Sequence, residues 1–178
     1  MEESSRAPPR ERILEDVARH PGSSAREIQR RLELAWGETA YHLERLHRSG
    51  ELRRERGGWR DFYFAVDLTF ADRRIFQALR SPAQRRIVLT VSEFPGETFT
   101  HVVRRTGLGR STASFHLNRL VELGVLSNAS TGAEAGYRVK EPARIHHLLS
   151  TYAASFADEL VDRFVGAFGG LLREEAPP

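Results

Sequence analysis

The side chains able to do chemistry are densest between Leu108 and Leu126, in LGRSTASFHLNRLVELGVL. Arg110, Ser111, Thr112, Ser114 and Arg119 supply guanidinium forks and hydroxyls, donors suited to phosphate oxygens and to the edges of bases. Ala113, Leu117 and Leu120 recur at i, i+4 and i+7. They therefore share one helical face that can be buried, while Arg110, Ser111, Ser114, Phe115 and Arg119 point elsewhere. Gly124 supplies a left-handed stop, and Val125 and Leu126 suit the start of a strand. The chemistry is that of a helix offering donors to a polyanion.

Catalysis finds no comparable support. The chain has no phosphate-cradling Gly loop, no nucleophile elbow and no HExxH helix. It has no cysteine, which excludes thiol nucleophiles, thiolate metal sites and disulfides. Of the seven histidines, His146 and His147 are adjacent on a helix and face different ways, and no carboxylate completes a ligand set. No enzymatic activity, metal or cofactor is expected.

The charge pattern agrees with a polyanion partner. The formal net charge is +3, but residues 12–64 carry eleven Arg against nine acids, residues 86–138 six against four, and residues 141–178 three against six. A basic body and an acidic tail are expected if only the body meets the polyanion. Lys140 is the only lysine, and Arg suits bidentate phosphate contacts. No apolar run reaches the ~18 residues of a membrane span and MEESSRAPPR lacks an apolar signal core, so the cytoplasm is the expected location.

The elements that must position these residues follow from the chain in order. Residues 1–10 read as a flexible leader. Ile13, Leu14 and Val17 form an amphipathic helix ending before Pro21-Gly22; Ser24 with Glu27 fits a capping box that opens a second helix through Ile28 and Leu32. A third helix from about Trp36 to Ser49 buries Thr39, Leu43 and Leu46, and Gly50 closes it. LRRERGGWRDFYFAV then reads as two strands joined at Gly57-Gly58.

Sliding the chain along itself by 74 positions aligns Arg12 with Arg86, Pro21-Gly22 with Pro95-Gly96, His42-Leu43 with His116-Leu117, Gly50 with Gly124 and Tyr63 with Tyr137. One supersecondary plan is used twice. The expected fold class is mainly α with small β-hairpins, in two domains at residues 11–66 and 82–140. A connecting helix lies at 67–81, and a flexible tail at 173–178. Over 141–172, Leu149, Tyr152, Phe156, Leu160, Phe164 and Phe168 form an apolar stripe on one long helix, which needs a partner surface: either the two repeats of the same chain or, the preferred reading, the same helix of a second chain in a homodimer.

The stretches GLGRSTASFHLNRLVELGVL (residues 107–126) and WGETAYHLERLHRSGEL (residues 36–52) resemble winged helix-turn-helix transcription regulators of the ArsR and MarR kind, most closely prokaryotic proteins of archaeal type carrying two such modules. The resemblance covers residues 12–140 and implies a three-helix core with a hairpin wing in each half. It implies sequence-specific binding of double-stranded DNA, each third helix in the major groove and the wings on the backbone. Carried over by position, Arg110, Ser111, Thr112, Ser114 and Phe115 face bases, and Arg119 faces phosphate. The matching residues of the first half are Trp36, Gly37, Glu38, Ala40, Tyr41 and Arg45; here Glu38 repels phosphate, and Gly37 and Ala40 replace serines.

The wings reverse this imbalance: Arg53, Arg54, Arg56 and Arg60 surround Trp59 in the first, while the second has Arg138 and Lys140. The second half would read sequence and the first would hold the backbone. The rival reading is a tandem winged-helix module for protein contacts, of the transcription-complex or condensin-kleisin partner type, without specific DNA readout. Exposed Trp36, Tyr41 and Trp59 would suit that role.

Overall fold

The computed structural model describes residues 7–58, 60–131, 134–156, 161, 165 and 166, in two compact units, Met1–Gln77 and Ala78–Pro178. The fold is mainly helical with small antiparallel sheets.

In the first unit α1 (Pro9–Arg19), α2 (Ala25–Leu32) and α3 (Trp36–Arg48) precede a hairpin of β1 (Leu52–Arg56) and β2 (Asp61–Ala65). Helix α1 begins inside the expected leader, because Pro9 at the first helical position has its φ already set for a helix. Ser24 and Glu27 form the expected capping box at α2: the Glu27 side chain accepts from the Ser24 amide at 2.7 Å, and Ser24 Oγ accepts from the Glu27 amide at 3.4 Å. Ile13, Val17, Ile28, Leu43, Leu46, Leu52 and Tyr63 close into the core. The half-exposed Arg31 donates to both oxygens of buried Asp16, at 2.8 and 2.7 Å, which pins α2 to α1. The hairpin pairs Leu52 with Ala65 through Arg56 with Asp61. Its turn spans four residues, not two, closed by Gly57 N–H to the Arg60 carbonyl at 2.9 Å.

The unit boundary falls within α4 (Phe70–Leu79), the expected connecting helix. The second unit contains α5 (Pro82–Glu93), the two-residue strand β3 (Glu97–Thr98), α6 (Phe99–Thr106), α7 (Arg110–Glu122), β4 (Leu126–Thr131), β5 (Glu134–Val139) and α8 (Pro142–Thr151). Ile87, Val91, Val102, Leu117, Leu120 and Leu126 are buried here. Each lies 74 residues beyond a core residue of the first unit. The sheet order is β3-β5-β4, with Glu97 opposite Tyr137. In the first unit a single bridge, Ser23 to Tyr63, stands at that place. Arg12 donates to the Leu32 carbonyl at 2.7 Å and Arg86 to the Thr106 carbonyl at 3.1 Å, so in both units an arginine of the first helix closes the end of the second.

The expected long helix over 141–172 is not formed. Helix α8 stops at Thr151 and passes into a 3-10 turn at Ala153–Ser155. The Arg80 guanidinium takes the Ser155 carbonyl and hydroxyl at 2.7 and 2.8 Å and lies over the Phe156 ring at 4.7 Å. The Ser155 carbonyl is therefore held by a side chain of its own unit. Leu149 and Phe156 are buried in that unit and Tyr152 is half-buried, so these three do not form a free dimerisation stripe. Leu160, Phe164 and Phe168 lie outside the described residues.

After α2 and α6 the chain takes a left-handed residue, Glu33 at φ 54° and Gly107 at φ 66°. An L side chain there costs about 1–2 kcal/mol, partly offset by the backbone entropy a glycine would lose. Glu33→Gly should raise unfolding free energy by about 0.5–1 kcal/mol, and Gly107→Ala should lower it by about 1 kcal/mol, both measured by urea denaturation.

Candidate nucleic-acid interface

Helix α7 is held by Ala113, Leu117 and Leu120, each fully buried. That orientation turns Ser111, Phe115, Asn118 and Glu122 to the opposite, solvent side, since they follow at i, i+4, i+7 and i+11. Arg110, Ser111, Thr112, Ser114 and Phe115 are all exposed, as expected from the sequence. Gly109 caps α7 with no side-chain hydrogen bond, and the first turn has no acid. Its first amides are therefore left to solvent or to an anion. Arg110 lies over the Phe99 ring at 5.0 Å. Arg119 is half-buried and donates to Glu122 at 3.0 Å, which neutralises the far end of the stripe.

Asn118 was not among the residues singled out from sequence. It is exposed, one turn beyond Phe115 on the outward stripe, and an Asn amide can address adenine bidentately. The signal was present in its i+7 spacing from Ser111.

The first unit builds the same helix with different contents. Thr39, Leu43 and Leu46 bury one face of α3, leaving Gly37, Tyr41, Glu44 and Arg48 outermost. Glu44 stands where α7 has Asn118. It accepts from Arg48 at 2.7 Å and from Arg54 at 2.9 Å. The Arg48 guanidinium, with Arg54 behind it, holds the Glu44 carboxyl below the usual carboxylate range, so it is an anion at neutral pH. Trp36 is 43% exposed and carries the Arg26 guanidinium 4.0 Å above its ring. The Tyr41 hydroxyl accepts from Arg45 at 2.9 Å, and Glu38 is exposed.

The wing arginines do not behave alike. Arg53 and Arg56 are exposed on β1. Arg54 is half-buried, bonded to Glu44 and 3.9 Å from Asp61, so it braces the hairpin against α3 instead of facing outward. Arg60 lies over Phe62 at 4.7 Å, and Trp59 is outside the described residues. A cleft of about 390 Å³ opens in this unit, lined by Ser24, Arg26, Trp36, Glu44, Arg60 and Tyr63 among others. Glu44 and Asp61 face Arg26, Arg54 and Arg60 around it, and Arg54 is already bonded to Glu44, so part of its positive charge is spent on bracing within the unit.

A protein-family model described as an N-terminal HTH domain matches residues 7–76. The match supports a helix-turn-helix regulator and, through that domain, DNA binding. It falls on the first unit, not on the stretch around Arg110. No curated protein matches the chain.

The pairing of Arg54 separates it from its neighbours in a stability measurement. Arg53→Ala and Arg56→Ala should leave unfolding free energy within ~0.5 kcal/mol of the native chain, as exposed substitutions do. Arg54→Ala should lower it by more than that in the same denaturant titration.

Proposed function

We propose that the chain is a sequence-specific double-stranded DNA-binding transcriptional regulator with two tandem winged helix-turn-helix units, acting in the cytoplasm. The helix-turn-helix match over residues 7–76 supports DNA binding. The observation that carries specificity is the exposed face of α7, where Arg110, Ser111, Thr112, Ser114, Phe115 and Asn118 stand with no acid in the first turn. In this reading α7 enters the major groove, with Arg110 toward a guanine edge and the hydroxyls toward bases or phosphates. The first unit holds the backbone: Arg53 and Arg56 on the wing meet phosphates, while α3 presents an ion-paired carboxylate where α7 presents an amide. Among the described residues, no helix is long and apolar enough to cross a membrane.

One observation favours a protein contact on the first unit. Trp36 and Tyr41 are exposed on α3 beside Glu44 and Glu38, and aromatic anchors with mixed charge suit a protein surface.

The test is selection of bound duplexes from a random pool, followed by binding titrations. Arg110→Ala should cost about 1–3 kcal/mol at one base position and relax preference there, whereas Arg56→Ala should weaken all duplexes alike and reduce the salt slope by about 1. A chain that selects no duplex, or binding indifferent to salt, would contradict the proposal.

We also propose a homodimer, resting on the remaining stripe positions Leu160, Phe164 and Phe168. Light scattering of the full chain should give the mass of two chains, falling to one when the three are replaced by Ser. A single-chain mass for the unaltered protein would contradict it.

A further inference from the structure

Helix α7 places its largest apolar side chain where burial cannot use it. Phe115 is 67% exposed, on the stripe opposite the core and between the polar residues Ser111 and Asn118. Single exposed apolar residues are ordinary on a surface, but this one is set among hydrogen-bonding side chains and is supported by a neighbouring ring. Its ring meets the His116 ring edge-on, at 5.2 Å between centroids and 71° between planes. His116 is in turn half-buried within 3.4 Å of the Gln84 amide, so the support is itself fixed. Burial holds the His116 imidazole below its ordinary pKa, and it is neutral at pH 7. The Phe115 ring is thus presented outward on an uncharged base.

The first unit repeats the arrangement 74 residues earlier. Tyr41 is 55% exposed and meets His42 edge-on at 5.2 Å and 72°. There the ring ends in a hydroxyl engaged by Arg45, which makes its tip polar. Phe115 has no such group.

We infer that Phe115 is a specificity residue that packs against the 5-methyl group of a thymine in the major groove, with Asn118 beside it addressing an adenine. The inference rests on the proposed entry of α7 into that groove. Thymine is the one base whose major-groove edge carries an apolar group, and a phenyl ring surrounded by hydrogen-bonding side chains can discriminate by contact with it alone. The surroundings favour a nucleic acid over an apolar protein surface: Arg110 and uncapped amides lie one turn away, and the nearest acid on the stripe, Glu122, is paired with Arg119. Asn118 follows Phe115 by three residues, so the two side chains are neighbours on the helix surface and can reach one base pair or adjacent pairs.

The methyl group gives a test that leaves every hydrogen-bonding group of the DNA in place. Duplexes selected by the full chain are resynthesised with deoxyuridine replacing thymidine at one position at a time. The native chain should bind about fourfold more weakly at one position in the second unit's half of the site, the effect of one buried carbon. Phe115→Ala should bind both duplexes alike, and Phe115→Leu should retain part of the difference. Circular dichroism on both variants checks that the exposed substitution leaves the fold intact. Indifference of the native chain to deoxyuridine at every position, with tight binding to the selected duplex preserved, overturns the inference but not the DNA-binding reading. Full methyl sensitivity in Phe115→Ala overturns it as well. A chain that selects no duplex overturns the reading and the inference together.

Discussion

One backbone hydrogen bond fixes the geometry of each unit. Gly22 N–H donates to the Tyr63 carbonyl at 2.8 Å, and Gly96 N–H donates to the Tyr137 carbonyl at 2.8 Å. Each bond ties the turn after the first helix to the second strand of the hairpin. The turn needs glycine: φ is +78° at Gly22 and +89° at Gly96, and a Cβ at Gly22 would come within 3.1 Å of Phe64. Such a bond contributes only about 1 kcal/mol net, so its importance is directional. The cores supply the energy. The second helix starts beside one strand, and the third helix leads through Gly50 or Gly124 into the other strand and packs against it.

That constraint explains why so much was legible in sequence. Pro21-Gly22 and Tyr63 are far apart in the chain, yet both recur at a shift of 74, as do Arg12 and the end of the second helix, because each pair makes one contact in the fold. The buried faces of α3 and α7 were readable from their 3.6-residue period, and the capping box from its spacing. The C-terminal stripe misled for a physical reason. Apolar spacing of three or four residues marks a face but does not say where a distant arginine takes over a carbonyl, and Arg80 does so at Ser155. Arg54 looked like its neighbours because its pairing with Glu44 is a tertiary contact. The two-residue strand β3 is too short to carry a pattern.

The same scaffold therefore carries two different surfaces. Buried positions, the Pro-Gly turns and the bounds of the second and third helices recur at a shift of 74, while the outward stripes diverge: Ser111, Phe115 and Asn118 on α7, against Gly37, Tyr41 and Glu44 on α3. Even the aromatic contact at the start of the third helix is built with exchanged partners, Arg110 over Phe99 in one unit and Arg26 over Trp36 in the other. An amide facing outward can exchange hydrogen bonds with a base, whereas a carboxylate already holding two guanidiniums has little left to offer and repels phosphate. The divergence at positions 44 and 118 is the physical basis for the proposal that the second unit reads bases.

Isotope-edited NMR of the full chain bound to its selected duplex measures that assignment most directly. Intermolecular contacts are expected from α7 side chains, those of Arg110 to Asn118, to base protons in the major groove, with first-unit contacts confined to sugar and backbone protons near β1. Base contacts from α3 with none from α7 would contradict it.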